Sequence, residues 1–273
     1  KSIYGYLGAN GAGKSTTIKL LLGLLQDNTD AIFIQGLSLK TNRSDIYAHV
    51  GNLIEAPCYY TNLTVFENLK YLDIIHRRGN ERIDAVLEMV DLGREKKKKA
   101  SALSMGMKQR LGIAMAIFHD PQLLILDEPL NGLDPQGIVA MRNLFCSLND
   151  QGKTIFLSSH ILSELEKIAT HIGVIDRGVM IFQGTKDELL RQVEREALLR
   201  TSDATRAAAV LHSAEFSVLR TEGQIVAVKI ADDIQFDHLI KCLVQHDIEI
   251  YGLESHSPDL EQIFINLIAK SNG

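Results

Sequence analysis

The stretch Gly8-Ala9-Asn10-Gly11-Ala12-Gly13-Lys14-Ser15 lies between an apolar segment, Ser2 to Leu7, and a segment of helical periodicity that begins at Lys14. It fits the spacing G-x-x-x-x-G-K-[ST], which is typical of phosphate-binding loops. Glycines let the backbone turn tightly, so that successive N–H groups point at phosphate oxygens, and the following helix adds its positive end. The pattern predicts a nucleotide site made by eight residues: Gly8, Asn10, Gly11, Ala12, Gly13, Lys14, Ser15 and Thr16.

This loop alone leaves kinases, GTPases, helicases and transport ATPases open. A second stretch narrows the choice, because four apolar residues, Leu123 to Leu126, end in Asp127 and Glu128. A buried parallel strand delivers its last residues to the phosphate edge of the sheet. We therefore expect Ser15 and Asp127 to bind Mg²⁺ and Glu128 to polarise the attacking water. In isolation, the two acids would also fit an exposed turn after a strand.

Strand and helix patterns alternate in two parts of the chain, residues 1–55 and 120–190, which predicts an α/β core with a parallel sheet. Residues from about 56 to 119 lack strand signals and predict an inserted helical subdomain, with a capping box at Thr64 to Glu67. From residue 191 the pattern becomes βαββαβ, the ferredoxin-like order. Two domains are therefore expected, 1–190 and 191–273.

Charge and apolar content exclude some classes of protein. The net charge is -5 and the pI is about 6.0, which argues against a dedicated nucleic-acid partner. The sequence has no run of about 18 apolar residues, so work at a membrane would need a separate partner chain. Three scattered cysteines fit reduced thiols in a cytosolic protein.

Three further motifs follow in order: Leu103-Ser104-Met105-Gly106-Met107-Lys108-Gln109-Arg110, then Asn131-Gly132-Leu133-Asp134, then His160 after a strand pattern. With the two stretches above, they make residues 1–190 resemble the nucleotide-binding subunit of an ABC transporter. The resemblance implies a P-loop NTPase ABC-type α/β core with an inserted α-helical subdomain. The C-terminal ferredoxin-like α+β extension then stands outside the motif-bearing part, with a stabilising, dimerising or ligand-binding role.

In this family, two subunits stack head to tail in an ATP-dependent dimer with two ATP molecules between them. The resemblance implies that Glu128 and His160 are catalytic and that Asp134 bridges the subunits. It also implies that Ser104, Gly106 and Met107 face the partner's ATP. Membrane-spanning permease subunits are the implied partners, and the implied location is cytoplasmic, peripheral on the inner face of the cell membrane.

Several positions depart from the family pattern. Met105 and Met107 replace a glycine and a glutamine of the signature. Glu55 stands where a Mg²⁺-touching glutamine is usual, and since a carboxylate oxygen can also bind Mg²⁺, the resemblance implies that Glu55 is a third metal ligand. The context of Glu55 and the run of residues 104–114 resemble bacterial self-protection exporters of lantibiotics and bacitracin-like peptides. Family members also carry two strands and an adenine-stacking aromatic residue before the position of Lys1.

Three other functions stay open at this point. One is ATP-driven export of a different amphiphile. Another is a soluble ABC-type ATPase that acts on DNA or ribosomes, although the two cassettes, coiled coils or basic extensions usual there are not visible. The last is a non-catalytic module that only dimerises on ATP, against which Glu128 and His160 argue.

Overall fold

The computed structural model describes residues 1–26, 31–190, 195–230, 233–256 and 260–271. The chain divides into two units, a larger one of Lys1–Lys186 with Lys270 and Ser271, and a smaller one of Asp187–Ala269. The predicted domain boundary after residue 190 adjoins residues 191–194, which lie outside the described residues.

The larger unit alternates strands and helices, as the sequence pattern predicts. Its strands are β1 Ile3–Leu7, β2 Phe33–Ile34, β3 Leu37–Ser38, β4 Val50–Leu53, β5 Leu123–Leu126, β6 Thr154–Ser159, β7 His171–Asp176 and β8 Val179–Thr185. Its helices are α1 Lys14–Leu21, α2 Arg43–Tyr47, α3 Val65–His76, α4 Asn80–Met89, α5 Met105–Ile117, α6 Pro135–Asp150 and α7 Leu162–Ile168.

Six of these strands form one sheet in the order β4-β5-β6-β1-β7-β8. The first five are parallel and largely buried, which is typical of a sheet covered by helices, and the predicted α/β class is confirmed. Strand β8 is antiparallel to β7, because only Arg177 and Gly178 join the two strands. Helices α3 to α5 lie between β4 and β5 in the chain, as the predicted helical insertion does.

The helical insertion begins with the predicted capping box. The Thr64 N–H donates to the Glu67 carboxylate at 2.7 Å, and the Glu67 N–H donates to Thr64 Oγ1 at 3.1 Å. These bonds satisfy N–H groups that the first turn of α3 leaves without helical partners. They also hold the pKa of Glu67 below its usual value, with the backbone bond from Thr64 as the main cause.

The end of α5 is fixed by two arginines of the same insertion. Arg82 donates from Nε to the Phe118 carbonyl oxygen at 2.9 Å, and Arg78 donates to the His119 carbonyl oxygen at 2.5 Å. Because the last carbonyls of a helix lack helical partners and carry partial negative charge, the guanidinium groups both pair and neutralise them.

The buried His119 ring connects this helix end to the sheet. His119 Nε2 lies 3.2 Å from the Val50 carbonyl oxygen of β4, and its ring stacks on His76 with centroids 4.6 Å apart. Burial, which disfavours the imidazolium, and the neighbouring His76 together lower the pKa of His119 to about 4, with burial as the main cause. His119 is therefore neutral in the folded protein at pH 7.

The smaller unit has the predicted ferredoxin-like order. Its elements are α8 Lys186–Leu190, β9 Arg195–Thr201, α9 Ala204–Ser213, β10 Val218–Glu222, β11 Ile225–Ile230, α10 Asp233–Gln245, β12 Ile250–His256 and α11 Leu260–Ser271. The first residue of α8 and the last two of α11 belong to the larger unit. The four strands form an antiparallel sheet in the order β10-β11-β9-β12. Alternate residues of these strands pack against α9 and α10 in a core that includes Leu199, Leu211, Val228, Leu239 and Leu243.

Within the described ranges, no helix has the length and apolar character that crossing a bilayer requires.

Candidate nucleotide site

The Gly-rich loop joins β1 to α1 at the carboxyl edge of the sheet. Gly11 and Gly13 have φ angles of 81° and 111°, which side chains rarely adopt. At Gly8 the limit is space, since a Cβ there would lie 2.7 Å from the Ile175 carbonyl oxygen. The backbone therefore requires glycine at these three positions of the loop.

Lys14, the first residue of α1, reaches back across this loop. Its ammonium donates to the carbonyl oxygens of Gly8 at 2.7 Å and Ala9 at 3.3 Å, and the side chain is almost fully buried. Nζ also lies 4.0 Å from Glu128 Oε1. The charge is thus held at the loop, between its backbone and a carboxylate.

Ser15, Asp127 and Ser158 form a chain of hydrogen bonds at the same edge. Ser15 Oγ donates to Asp127 Oδ2 at 2.8 Å, and Ser158 Oγ donates to Asp127 Oδ1 at 2.5 Å. Asp127 is only 2% exposed, so these bonds replace the hydration that a buried carboxylate loses. The strand register places Asp127 beside Ser158, because Leu126 of β5 pairs with Leu157 of β6 and these two residues come next.

Glu128 directs its carboxylate toward His160. Oε2 accepts hydrogen bonds from the His160 N–H at 3.3 Å and lies 2.8 Å from His160 Nδ1. The Glu128 backbone is left-handed, with φ 49°, and its N–H donates to Ser158 Oγ at 2.9 Å. The structure thus brings Lys14, Ser15, Asp127, Glu128 and His160 together, as the sequence predicts.

Ser15 and Asp127 suit Mg²⁺ by their chemistry. The hydroxyl and the carboxylate are hard oxygen donors, and magnesium sites on triphosphates use few protein ligands because phosphate and water complete the shell. The described ranges contain no group of three or more His, Cys, Asp or Glu that could hold a metal.

Glu55, the third predicted metal ligand, has a different partner in the structure. Its Oε1 lies 2.5 Å from Lys19 Nζ, and both side chains are partly or largely exposed. Lys19 is four residues after Ser15, on the same face of α1. The role of Glu55 toward Mg²⁺ stays a prediction.

The signature residues lie in a second cluster, at the start of α5. Ser104 is the N-cap, and its Oγ accepts a hydrogen bond from the Met107 N–H at 3.3 Å. Met105 is 70% exposed and covers Gly132, whose Cβ would lie within 3.0 Å of three of its side-chain atoms. Gly106 packs against the same residue, since a Cβ added at Gly106 would lie 3.2 Å from the Gly132 carbonyl oxygen.

Asp134 caps the next helix, α6, in the same cluster. Its Oδ1 accepts a hydrogen bond from the Gly137 N–H at 3.0 Å and lies 3.9 Å from the Arg110 guanidinium. Arg110 also contacts Asp91 at 2.7 Å. The beginnings of α5 and α6 are therefore joined through side chains, with Ser104 and Asp134 both exposed.

Comparisons with known proteins agree with this geometry. A family model described as ABC transporter matches residues 1–131. The chain is 41% identical over 270 residues to the bacitracin transport ATP-binding protein BcrA of Bacillus licheniformis, covering 97% of this chain and 88% of that protein. The chain belongs to the ABC transporter ATP-binding family.

Two other similarities support the assignment. The lantibiotic transport ATP-binding protein SrtF of Streptococcus pyogenes is 42% identical over 185 residues, covering 68% of this chain and 80% of that protein. A solved structure described as an ATP-binding subunit of an ABC transporter superposes with a TM-score of 0.65 at 32% identity, covering 70% of this chain and 81% of that one. ABC ATP-binding subunits hydrolyse ATP coupled to transport, and this chain is an ATPase of that family.

Three contacts of this ABC subunit were not predicted from its sequence: those of Ser158, Gln109 and Lys19. Ser158 follows the apolar run Ile155 to Leu157 as directly as Asp127 follows Leu126, so its position at the same edge was available from the pattern. Gln109 and Lys19 lie within helices whose partners are far away in the sequence, and no local pattern marks them.

Proposed function

We propose that this chain binds and hydrolyses ATP to power export of an antimicrobial peptide, of the bacitracin or lantibiotic class, through separate membrane-spanning subunits. The observation that carries the peptide class is the similarity to a bacitracin transport protein over 97% of the chain. The Glu55 context and the signature variant favour the same class, because both resemble that subgroup.

ATP binding follows from the loop geometry. The loop N–H groups and the N-terminal end of α1 attract the triphosphate, and Lys14, already held over the loop, can exchange its carbonyl partners for phosphate oxygens. Ser15 and Asp127 would hold Mg²⁺, which neutralises phosphate charge when bound. Asp127 stays oriented by Ser158 throughout.

Glu128 acts on the water in the proposed mechanism. Its carboxylate accepts a proton as the water oxygen attacks the γ-phosphorus and the bond to the leaving ADP oxygen breaks. His160 fixes Oε2 of that carboxylate, so the other oxygen is the one directed toward the phosphate side, where Lys14 lies. Glu55, which pairs with Lys19 in the structure, would supply a further oxygen ligand for Mg²⁺.

A second ATPase subunit, stacked head to tail, would complete each site. Ser104, Gly106 and Met107 would face the partner's γ-phosphate, and Asp134 would lie at the subunit boundary. The exposed N-terminal ends of α5 and α6 support this, since helix N-termini favour anions. Closing and opening of that dimer would drive the permease, at the inner face of the membrane.

The test is peptide resistance in bacterial cells that carry this subunit with the membrane subunits encoded beside it. Wild type, Lys14→Ala and Glu128→Gln are compared against bacitracin, lantibiotics and unrelated amphiphiles. Glu81→Gln, an exposed carboxylate of α4, is the matched control. We expect resistance to a peptide in the wild type and the control, and none in the two site variants.

Assays on the purified transporter measure ATP binding and ATP hydrolysis separately. Glu128→Gln should lower ATP turnover at least about 100-fold while ATP still binds, because only the proton acceptor is lost. Turnover at the wild-type rate would remove Glu128 from its role. If the cells resist only a non-peptide amphiphile and this resistance is lost in both site variants, the proposed peptide class is wrong. If the purified wild-type transporter binds ATP tightly but does not turn it over, the chain is a non-catalytic module.

A further inference from the structure

The backbone of Glu128 is held by side chains from two parts of the fold. Its left-handed φ of 49° is unfavourable for a residue with a Cβ, so surrounding contacts must maintain it. Ser158 of β6 accepts from the Glu128 N–H, and Gln109 of α5 donates from Nε2 to the Glu128 carbonyl oxygen at 3.2 Å. That oxygen also accepts from the Asn131 N–H at 3.1 Å.

Gln109 belongs to the helical insertion rather than to the sheet. Its side chain is buried, with 7% exposure, and a buried primary amide is costly unless it is hydrogen-bonded. Residue 109 lies five positions after Ser104, the N-cap of α5, in an uninterrupted helix. A helix moves as a rigid element over this distance, so a displacement at Ser104 displaces the Gln109 amide as well.

Glu128 thus lies between an element of the core and an element of the insertion. The Ser158 bond fixes it relative to the sheet, and the Gln109 bond fixes it relative to α5. Both bonds act on the backbone that aims the Glu128 carboxylate at His160. Small changes in that aim matter, since a misplacement of about 1 Å can cost about 100-fold in rate.

We propose that Gln109 is a positioning residue through which α5 sets the geometry of Glu128. Turnover then depends on where the beginning of α5 lies, while ATP binding at the loop of the same subunit does not. This inference rests on the proposed role of Glu128 as the group that activates water. It assigns to Gln109 a role inside its own subunit, distinct from the predicted contact of Ser104 with a partner's ATP.

The experiment compares two replacements of Gln109 in the assembled transporter in membrane vesicles. Gln109→Met keeps the length of the side chain but has no donor, whereas Gln109→His presents a ring N–H at a similar distance from the backbone. Gln151→Met, an exposed glutamine at the end of α6, is the control. Measured quantities are kcat, the KM for ATP and the melting temperature.

We expect Gln109→Met to lower kcat about tenfold or more with KM within about twofold of wild type. Gln109→His should recover much of that kcat, even though methionine suits a buried site at least as well as histidine does. A purely structural role predicts the reverse, with kcat following the melting temperature. Equal loss in both variants, loss through KM, or wild-type kcat in Gln109→Met would overturn the inference.

Glu128→Gln is measured in the same preparation to separate the two proposals. If it abolishes turnover and Gln109→Met does not change kcat, only the role of Gln109 fails. If Glu128→Gln keeps the wild-type rate, the proposed role of Glu128 fails, and the positioning role fails with it.

Discussion

Ser158 holds two groups of the site at once, and replacing it with alanine removes both contacts. Its hydroxyl donates to the Asp127 carboxylate at 2.5 Å and accepts from the Glu128 N–H at 2.9 Å, and the residue is fully buried. In Ser158→Ala, a buried carboxylate oxygen and a backbone N–H lose their partners together. Water would have to enter a closed position to replace them.

The size of the effect can be estimated from these two contacts. A hydrogen bond to a charged group contributes about 1.5–3 kcal/mol, and a buried donor left unpaired costs about 1–3 kcal/mol. Asp127 keeps its bond from Ser15, so the lower half of the sum is appropriate. We expect Ser158→Ala to lower the unfolding free energy by about 3 kcal/mol, or the melting temperature by about 6–12 °C.

Thermal and urea unfolding of the purified chain measure this, with the neighbouring Ser159→Ala as the matched control. Ser159 is equally buried, but its hydroxyl accepts a single bond, from the Ile161 N–H at 2.9 Å. The control should cost about 1 kcal/mol. If the two variants are equally stable, or if Ser158→Ala keeps the wild-type kcat, the hydrogen bonds of Ser158 do not orient the site.

Two further predictions concern the helical insertion. Thr64→Ala removes the capping box of α3 and should cost about 1 kcal/mol in urea unfolding, whereas the exposed Thr61→Ala should cost almost nothing; equal midpoints would contradict the cap. The pKa of His119 is about 4 in the folded protein and about 6.5 in the unfolded chain, so protons bind the unfolded chain first as the pH falls. Stability from the neutral ring is therefore complete above pH 6.5 and lost between about 6.5 and 4, by at most about 3 kcal/mol. Urea unfolding across this range should show a weaker pH dependence in His119→Gln, and an unchanged dependence would refute the assignment.

Features with a local sequence signal were predicted correctly. The α/β class and the ferredoxin-like order follow from periodicities and turn residues that each element carries in its own sequence. The meeting of Ser15 with Asp127 followed from a general rule, that parallel strands end at one edge of a sheet. No comparable rule was needed for Thr64, because its capping partner is three residues away.

Features that depend on distant partners were missed. Strand β6 continues over Ser158 and Ser159, beyond the apolar run that ends at Leu157, because these two residues pair with Tyr6 and Leu7 of the distant strand β1. Glu55 pairs with Lys19, which is 36 residues away in the sequence. The backbone of Glu55 is left-handed, which the residue type does not predict. Such contacts depend on the tertiary structure, and no local sequence pattern predicts them.

The place of β1 in the sheet has a consequence for how the protein is made. Strand β1, which leads into the Gly-rich loop, pairs with β6 through Ile3 and Ile155 and with β7 through Gly5 and Ile172. A growing chain therefore exposes the loop long before either neighbour of β1 has left the ribosome. Because pairings across about 150 residues close late and slowly, the nucleotide site is assembled near the end of synthesis of the larger unit. Until then the apolar residues of β1 stay unpaired and exposed, and exposed apolar segments of this kind are what chaperones bind.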